Sequence, residues 1–165
     1  MVRNTFFRFC IVFFVLFLSF SFALATGQID KTKQVEKIAP NFSLPDLEAK
    51  TVGLASFKGK SIILFFWTTW CPYCRRSLID LEAKYPAIKS KGIVVLGIDI
   101  GEPSQKIKNF LQKYPASFPV LLDVSGEIAE EYNVIGIPTY VLIGADGNIK
   151  SIDNVLPTNY SGIFK

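Results

Sequence analysis

The chain has 165 residues, half of them hydrophobic and 19% charged, with a formal charge of +4, three cysteines and no histidine. That length suits one ordinary domain, and the apolar content argues against a disordered chain. The missing histidine excludes Ser-His-Asp and Cys-His nucleophile chemistry, histidine-ligated metal sites and any imidazole acid or base.

Residues 1–25 place Arg3 and Arg8 ahead of an almost unbroken apolar run that ends in Ala23-Leu24-Ala25. A basic start, an apolar stretch and an A-x-A site are the parts of a cleavable signal peptide, so the bulk of the chain is expected outside the cytoplasm, periplasmic or secreted. The alternative is an uncleaved membrane anchor, for which the run from Phe9 to Ala25 is at the short limit. Without Arg3 and Arg8 the charge falls to +2, and with no basic cluster nothing supports nucleic-acid binding. Cys10 leaves with the signal. The mature chain keeps Cys71 and Cys74, a single C-x-x-C.

Residues 26–37 are polar and aperiodic and are expected to form a flexible leader, with one domain over 38–165. Asn41–Leu44 and Thr51–Leu54 flank Asp46–Lys50 as a hairpin. Ser61–Thr68 (SIILFFWT) is a continuous apolar run suited to a strand buried on both faces. A helix is expected from Cys71, with Pro72 at its first position, Leu78, Leu81, Tyr85 and Ile88 on one face, a possible kink at Pro86 and an end at Gly92. Ile93–Ile100 is a second buried strand. Pro103–Tyr114 follows as a helix with Ile107, Phe110 and Leu111 inward, and Phe118–Leu122 as a short strand. Ser125 is the expected cap of a helix through Tyr132, with Ile128, Ala129 and Tyr132 inward. Tyr140–Ile143 and Asn148–Ile152 form a hairpin across Ala145-Asp146-Gly147. Alternating strands and helices closed by a hairpin predict an α/β fold with a mixed sheet.

The chemistry concentrates at Trp67–Cys74 (WTTWCPYC). A cysteine where a strand ends and a helix begins meets unpaired N–H groups and the positive end of the helix dipole, which favour a thiolate. The expected division is an exposed Cys71 that attacks and a more buried Cys74 that resolves the mixed disulfide. A structural disulfide would close too small a loop to gain much, and a metal would need two further ligands where the mature chain offers no other cysteine or histidine. No metal or organic cofactor is expected; the redox-active Cys71–Cys74 pair is the prosthetic chemistry.

Ala39–Leu44 (APNFSL), Phe57–Lys60 (FKGK), Phe66–Cys74 (FWTTWCPYC), Gly136–Thr139 (GIPT) and Asp146-Gly147 together resemble the TlpA/ResA-like branch of the thioredoxin superfamily. These are exported or membrane-tethered thiol-disulfide oxidoreductases, many of which reduce partner proteins during cytochrome c maturation. Over roughly residues 38–153 the resemblance implies a thioredoxin-like fold, a central mixed β-sheet flanked by helices, with an N-terminal β-hairpin. It also implies a cis Ile137-Pro138 bond beside the dithiol, where the Ile137 backbone would pair with an extended partner segment. Trp70, directly before Cys71, reads as an apolar shelf, and Pro72-Tyr73 is the variable pair that tunes redox poise. The expected set is thus Cys71 and Cys74 as catalytic residues, with Trp70, Pro72, Tyr73, Ile137 and Pro138 contacting substrate. The implied partners are disulfide-containing proteins and a membrane thiol-disulfide electron donor.

Three departures from the family bear on mechanism. Ser77 stands where many members carry an acidic residue. Phe65 stands where thioredoxins often bury a carboxylate. The chain after Ile152 allows only a short or missing C-terminal helix. Asp80 and Glu82 have no obvious view of Cys74, so its proton acceptor is unassigned. Arg75 and Arg76 read as solvated charges or as support for a Cys71 thiolate. Two alternatives stand beside the oxidoreductase reading. One is a peroxiredoxin-like thiol peroxidase using Cys71, for which Thr68 fits but Leu64 replaces the motif's proline. The other is a non-catalytic binding module with the same fold.

Overall fold

A computed structural model describes residues 37–164. The expected signal segment, and the expected leader apart from Lys37, lie outside the described residues. Lys37 itself belongs to a strand, β1 (Lys37–Ile38), so this strand takes in the last residue of the expected leader. The cause is the free edge of the last hairpin strand, whose backbone groups pair with Lys37 and Ile38.

The expected hairpin is present as β2 (Ser43–Pro45) and β3 (Thr51–Gly53), an antiparallel pair. The apolar run becomes β4 (Ile62–Trp67), buried at every position. Then follow α1 (Pro72–Ser90), β5 (Val94–Ile100), α2 (Ser104–Lys113), β6 (Val120–Asp123), α3 (Glu127–Glu131), β7 (Thr139–Ile143), β8 (Asn148–Asp153) and α4 (Tyr160–Ile163). The main sheet has the order β1-β8-β7-β4-β5-β6. β4, β5 and β6 are parallel, whereas β7 runs antiparallel to β4 and β8 to β7, which makes the sheet mixed.

Strand alternation sends side chains to two cores. Ile63, Phe65, Trp67, Val95, Tyr140 and Leu142 meet Leu78, Leu81 and Ile88 of α1 and Ile107 of α2. On the other face Leu64, Phe66, Leu96, Ile98 and Val141 meet Ala129, Tyr132 and, from the N-terminal hairpin, Phe42 and Leu44. The central strands are therefore covered on both sides, as a continuous apolar run requires.

Several expectations shift locally. α1 continues through Pro86 to Ser90, and Gly92, at φ +73°, turns the chain into β5. β6 begins at Val120 and not at Phe118, because Pro119 has no N–H for the ladder. Ser125 is not the principal cap of α3. Gly126 occupies that position at φ +78°, and the buried Asp123 carboxylate accepts the N–H groups of Ile128 (3.3 Å) and Ala129 (2.9 Å). The C-terminal helix is a single short turn, yet Leu156 is buried and Tyr160, Ile163 and Phe164 pack on the α1 side of the sheet. Among the described residues no helix is long and apolar enough to cross a membrane.

Candidate active site

β4 delivers the chain to the carboxyl end of the sheet, and α1 starts there. Cys71 is the N-cap of α1, with extended backbone at φ −83° and ψ 115°, and Pro72 takes the first helical position. The Cys71 Sγ accepts the backbone N–H of Cys74 at 3.1 Å, the role a serine or aspartate oxygen plays at ordinary helix starts. This contact aims an unpaired helix N–H at the sulfur that would carry negative charge.

Both cysteines are free thiols. Their ranking by exposure follows expectation, but Cys71 is less open than expected, at 4% against 0% for Cys74. The reason lies across the sheet. The Ile137–Pro138 peptide is cis, and the Ile137 carbonyl accepts from the Cys71 thiol at 3.8 Å, closing over the sulfur. Pro138 is buried and Ile137 half-buried, whereas Trp70, Pro72 and Tyr73 are exposed. The structure thus brings all seven expected residues to one end of the sheet.

Cys74 lies deeper, and its thiol is pushed up to about 12, first by burial and then by its contact with Cys71. The family's acidic position is Ser77, whose carbonyl accepts from the Tyr140 hydroxyl at 3.4 Å. Burial pushes the Tyr140 phenol up to about 12 as well, with further contributions from Asp80 and Cys74. Phe65, fully buried, stacks on Tyr140 at 5.0 Å and fills the space of the absent carboxylate. Glu82 turns away to accept the N–H and hydroxyl of Ser117. Nothing of base strength stands beside Cys74 in this set.

Three residues outside the expected set shape the site. Glu102, 4% exposed, accepts the Thr69 N–H at 2.5 Å and the Thr69 hydroxyl at 2.8 Å, and pairs with Lys106 at 2.5 Å. Burial works to raise its carboxyl, but the Lys106 ammonium and the Thr69 bonds outweigh it and hold it below the ordinary range. Asp99, also buried, has no donor to either oxygen and faces Glu102. Asn154 donates to the Pro138 carbonyl at 2.8 Å and to the Thr139 hydroxyl at 3.2 Å, while that hydroxyl donates to the Gly136 carbonyl at 2.6 Å. Asn154 thereby fixes the segment that covers Cys71. Alternation along β5 carried a readable signal for Asp99, an acid in phase with the inward Val95 and Gly97; for Asn154 there was none.

The peroxidase motif does not assemble around this geometry. Its proline would fall at Leu64, in mid-strand between Leu96 and Val141, where a proline would break the ladder. Thr68 is buried at the strand end, and its hydroxyl has no partner.

Comparison with known proteins agrees with this arrangement. Residues 35–152 match the AhpC/TSA family. The thiol-disulfide oxidoreductase ResA of Bacillus cereus is 39% identical over 141 residues, covering 84% of this chain and 82% of its own. The ResA of Bacillus subtilis is 34% identical over 114 residues, covering 69% and 64%. Among solved structures, a secreted Mycobacterium tuberculosis disulfide oxidoreductase homologous to E. coli DsbE superposes with a TM-score of 0.64 at 30% identity, covering 74% of this chain and 93% of that one. StoA of Bacillus subtilis gives 0.62 at 28%, covering 71% and 89%.

Proposed function

The chain belongs to the AhpC/TSA family and, within it, to the ResA-like thiol-disulfide oxidoreductases, and from this premise we propose that it reduces disulfides of partner proteins outside the cytoplasm, with Cys71 as nucleophile and Cys74 as resolving thiol. The observation that carries the assignment of roles is the N-cap position of Cys71, whose sulfur accepts the Cys74 N–H at 3.1 Å while Cys74 lies one turn deeper.

The Cys71 thiolate attacks one sulfur of the partner disulfide. The partner S–S bond breaks, a mixed disulfide forms, and the leaving thiolate takes up a proton. Cys74, its proton passing to water or to that first partner thiolate, then attacks the Cys71 sulfur, and the second partner sulfur leaves as a thiolate that takes a proton from solvent. Counted from the dithiol, whose Cys71 proton has already passed to solvent, the enzyme gives up two electrons and two protons and the partner disulfide takes up the same number, the Cys71 proton by way of solvent, so the exchange balances with no metal or organic cofactor. Trp70, Pro72, Tyr73, Ile137 and Pro138 would seat the partner, the exposed aromatics offering apolar surface and the Ile137 backbone an edge for an extended segment.

The reducing direction rests on the Pro72-Tyr73 pair, which lacks the histidine of strongly oxidising dithiols. The extracytoplasmic setting rests on residues 1–25, cleaved as a signal or kept as a membrane tether. A membrane thiol carrier would then re-reduce the dithiol, and cytochrome c maturation is the pathway class that fits. Relatives named for an activity, and two free thiols at a helix start, weigh against a non-catalytic module.

Purified mature protein is expected to reduce a protein disulfide, Cys71→Ser to abolish this, and Cys74→Ser to accumulate a mixed disulfide. Wild-type turnover no faster than Cys71→Ser would refute the reading. Titration of the dithiol against glutathione buffers decides the direction: a potential near that of oxidising dithiols would reverse it.

A further inference from the structure

The charges beside the dithiol are unevenly distributed. Arg75 and Arg76 follow Cys74 directly, and the first turn of α1 has no acidic residue. α2, packed beside it, carries Lys106, Lys108 and Lys113 and no acid. Lys106 is satisfied by Glu102, but among the described residues neither Arg75 nor Arg76 has a carboxylate partner. Asp80, one turn beyond Arg76, makes no ion pair with it, and Glu82 is taken by Ser117.

Aromatic rings hold both guanidinium groups in place. Arg75 lies over the Tyr114 ring at 5.6 Å from its centroid, with the Lys113 ammonium at 5.5 Å from the same ring. Arg76 lies over Tyr73 at 6.0 Å. A cation restrained against a ring loses less side-chain freedom when it later meets a carboxylate, and a guanidinium can bind one through two hydrogen bonds. Beside these cations the dithiol loop exposes two apolar side chains, Trp70 at 66% and Tyr73 at 68%. Unpaired, ring-held cations bordering an apolar shelf are complementary to one kind of occupant.

We propose that the dithiol mouth selects partner disulfides carried in extended, acidic segments, with a partner side chain on the Trp70–Tyr73 shelf and carboxylates flanking the disulfide on Arg75 and Arg76. The proposal rests on the exchange reading above and names the partner chemistry of that same site. It differs from a role in thiolate support, because the arginines then discriminate between partners and not only between rates.

The test uses two synthetic peptides closed by the same disulfide, identical except for glutamate or lysine at the flanking positions, and a small uncharged disulfide as reference. Reduced wild-type protein is expected to reduce the glutamate peptide about fivefold faster than the lysine peptide at low ionic strength, with the ratio falling towards one as salt is added. Arg75→Glu with Arg76→Glu should invert the ratio, and Arg75→Gln with Arg76→Gln should bring it near one. Taking the ratio within each enzyme cancels any change in Cys71 reactivity. A wild-type ratio of one, a preference for lysine, or the same ratio in wild type and both variants overturns the proposal. Failure to reduce even the uncharged disulfide would instead refute the exchange reading beneath it.

Discussion

Glu102 and Thr69 are joined by two hydrogen bonds across 33 positions of sequence, the carboxylate taking both the N–H and the hydroxyl of a residue two places before Cys71. This clamp fixes the exit of β4, and with it the direction from which the chain enters α1. Glu102→Ala would leave two donors of Thr69 without an acceptor in a mostly buried place, a loss of about 2–3 kcal/mol in stability. The looser approach to Cys71 should slow disulfide exchange by about tenfold. Glu102→Gln keeps its carbonyl oxygen for the Thr69 N–H, lets its amide donate to a turned Thr69 hydroxyl, and gives up the pairing with a half-exposed Lys106, so about 1 kcal/mol is expected. Urea unfolding and stopped-flow reduction measure both quantities. Equal losses in the two variants would show that charge, not the clamp on Thr69, is what matters.

Asp99 is expected to make stability fall as pH rises. Burial first, then the negative charge of Glu102, pushes its carboxyl up to about 9 from 3.8. In the unfolded chain it titrates near 3.9, so below about pH 4 it is neutral in both states and carries no penalty. Between these values folding takes up a proton, so stability falls as pH rises from about 4, and the whole penalty is present above about 9. Asp99→Asn removes this titration. The variant should be more stable than wild type by about 1–3 kcal/mol near pH 8 and should show no advantage below about pH 4. Thermal melts across that range give the comparison, and parallel curves for the two proteins would refute the assignment.

The sequence made legible what is local. The unbroken apolar run of β4 and the 3.6-residue spacing of Leu78, Leu81 and Ile88 in α1 each declare their environment within a few residues. So does Cys71, because a cysteine-proline step after a buried strand can hardly be anything but a helix start. What stayed hidden depends on partners brought together by folding. Ile137, 66 positions away, is placed beside the dithiol only through the resemblance, and neither the closure of its carbonyl over Cys71 nor the brace on Pro138 from Asn154 has a local signal. The cap of α3 comes from Asp123, because Gly126 at positive φ draws the chain past Ser125. Short polar side chains bonded to distant backbone leave no periodic trace, and Glu102 reads in sequence as one more charge after a strand.

Cys74 must ionise before it can resolve the mixed disulfide, and its surroundings oppose that. Burial is the leading cause of its rise to about 12 and persists after Cys71 has bonded to a partner, whereas the contact with the Cys71 thiol does not. With Ser77 and Phe65, neither of them an acid, at the two positions that the family resemblance marks for a proton acceptor, the thiolate fraction should grow about tenfold per pH unit through the neutral range. Release of partner from the mixed disulfide is therefore expected to accelerate steadily with pH and to show no plateau between about pH 6 and 9. Attack by Cys71, measured as formation of the trapped complex in Cys74→Ser, isolates the first step, so a slope confined to release belongs to Cys74. A plateau of the release rate near neutral pH would mean that a base on the partner or within the folded protein takes this proton, and Tyr140, itself raised to about 12, stays protonated there and is not that base.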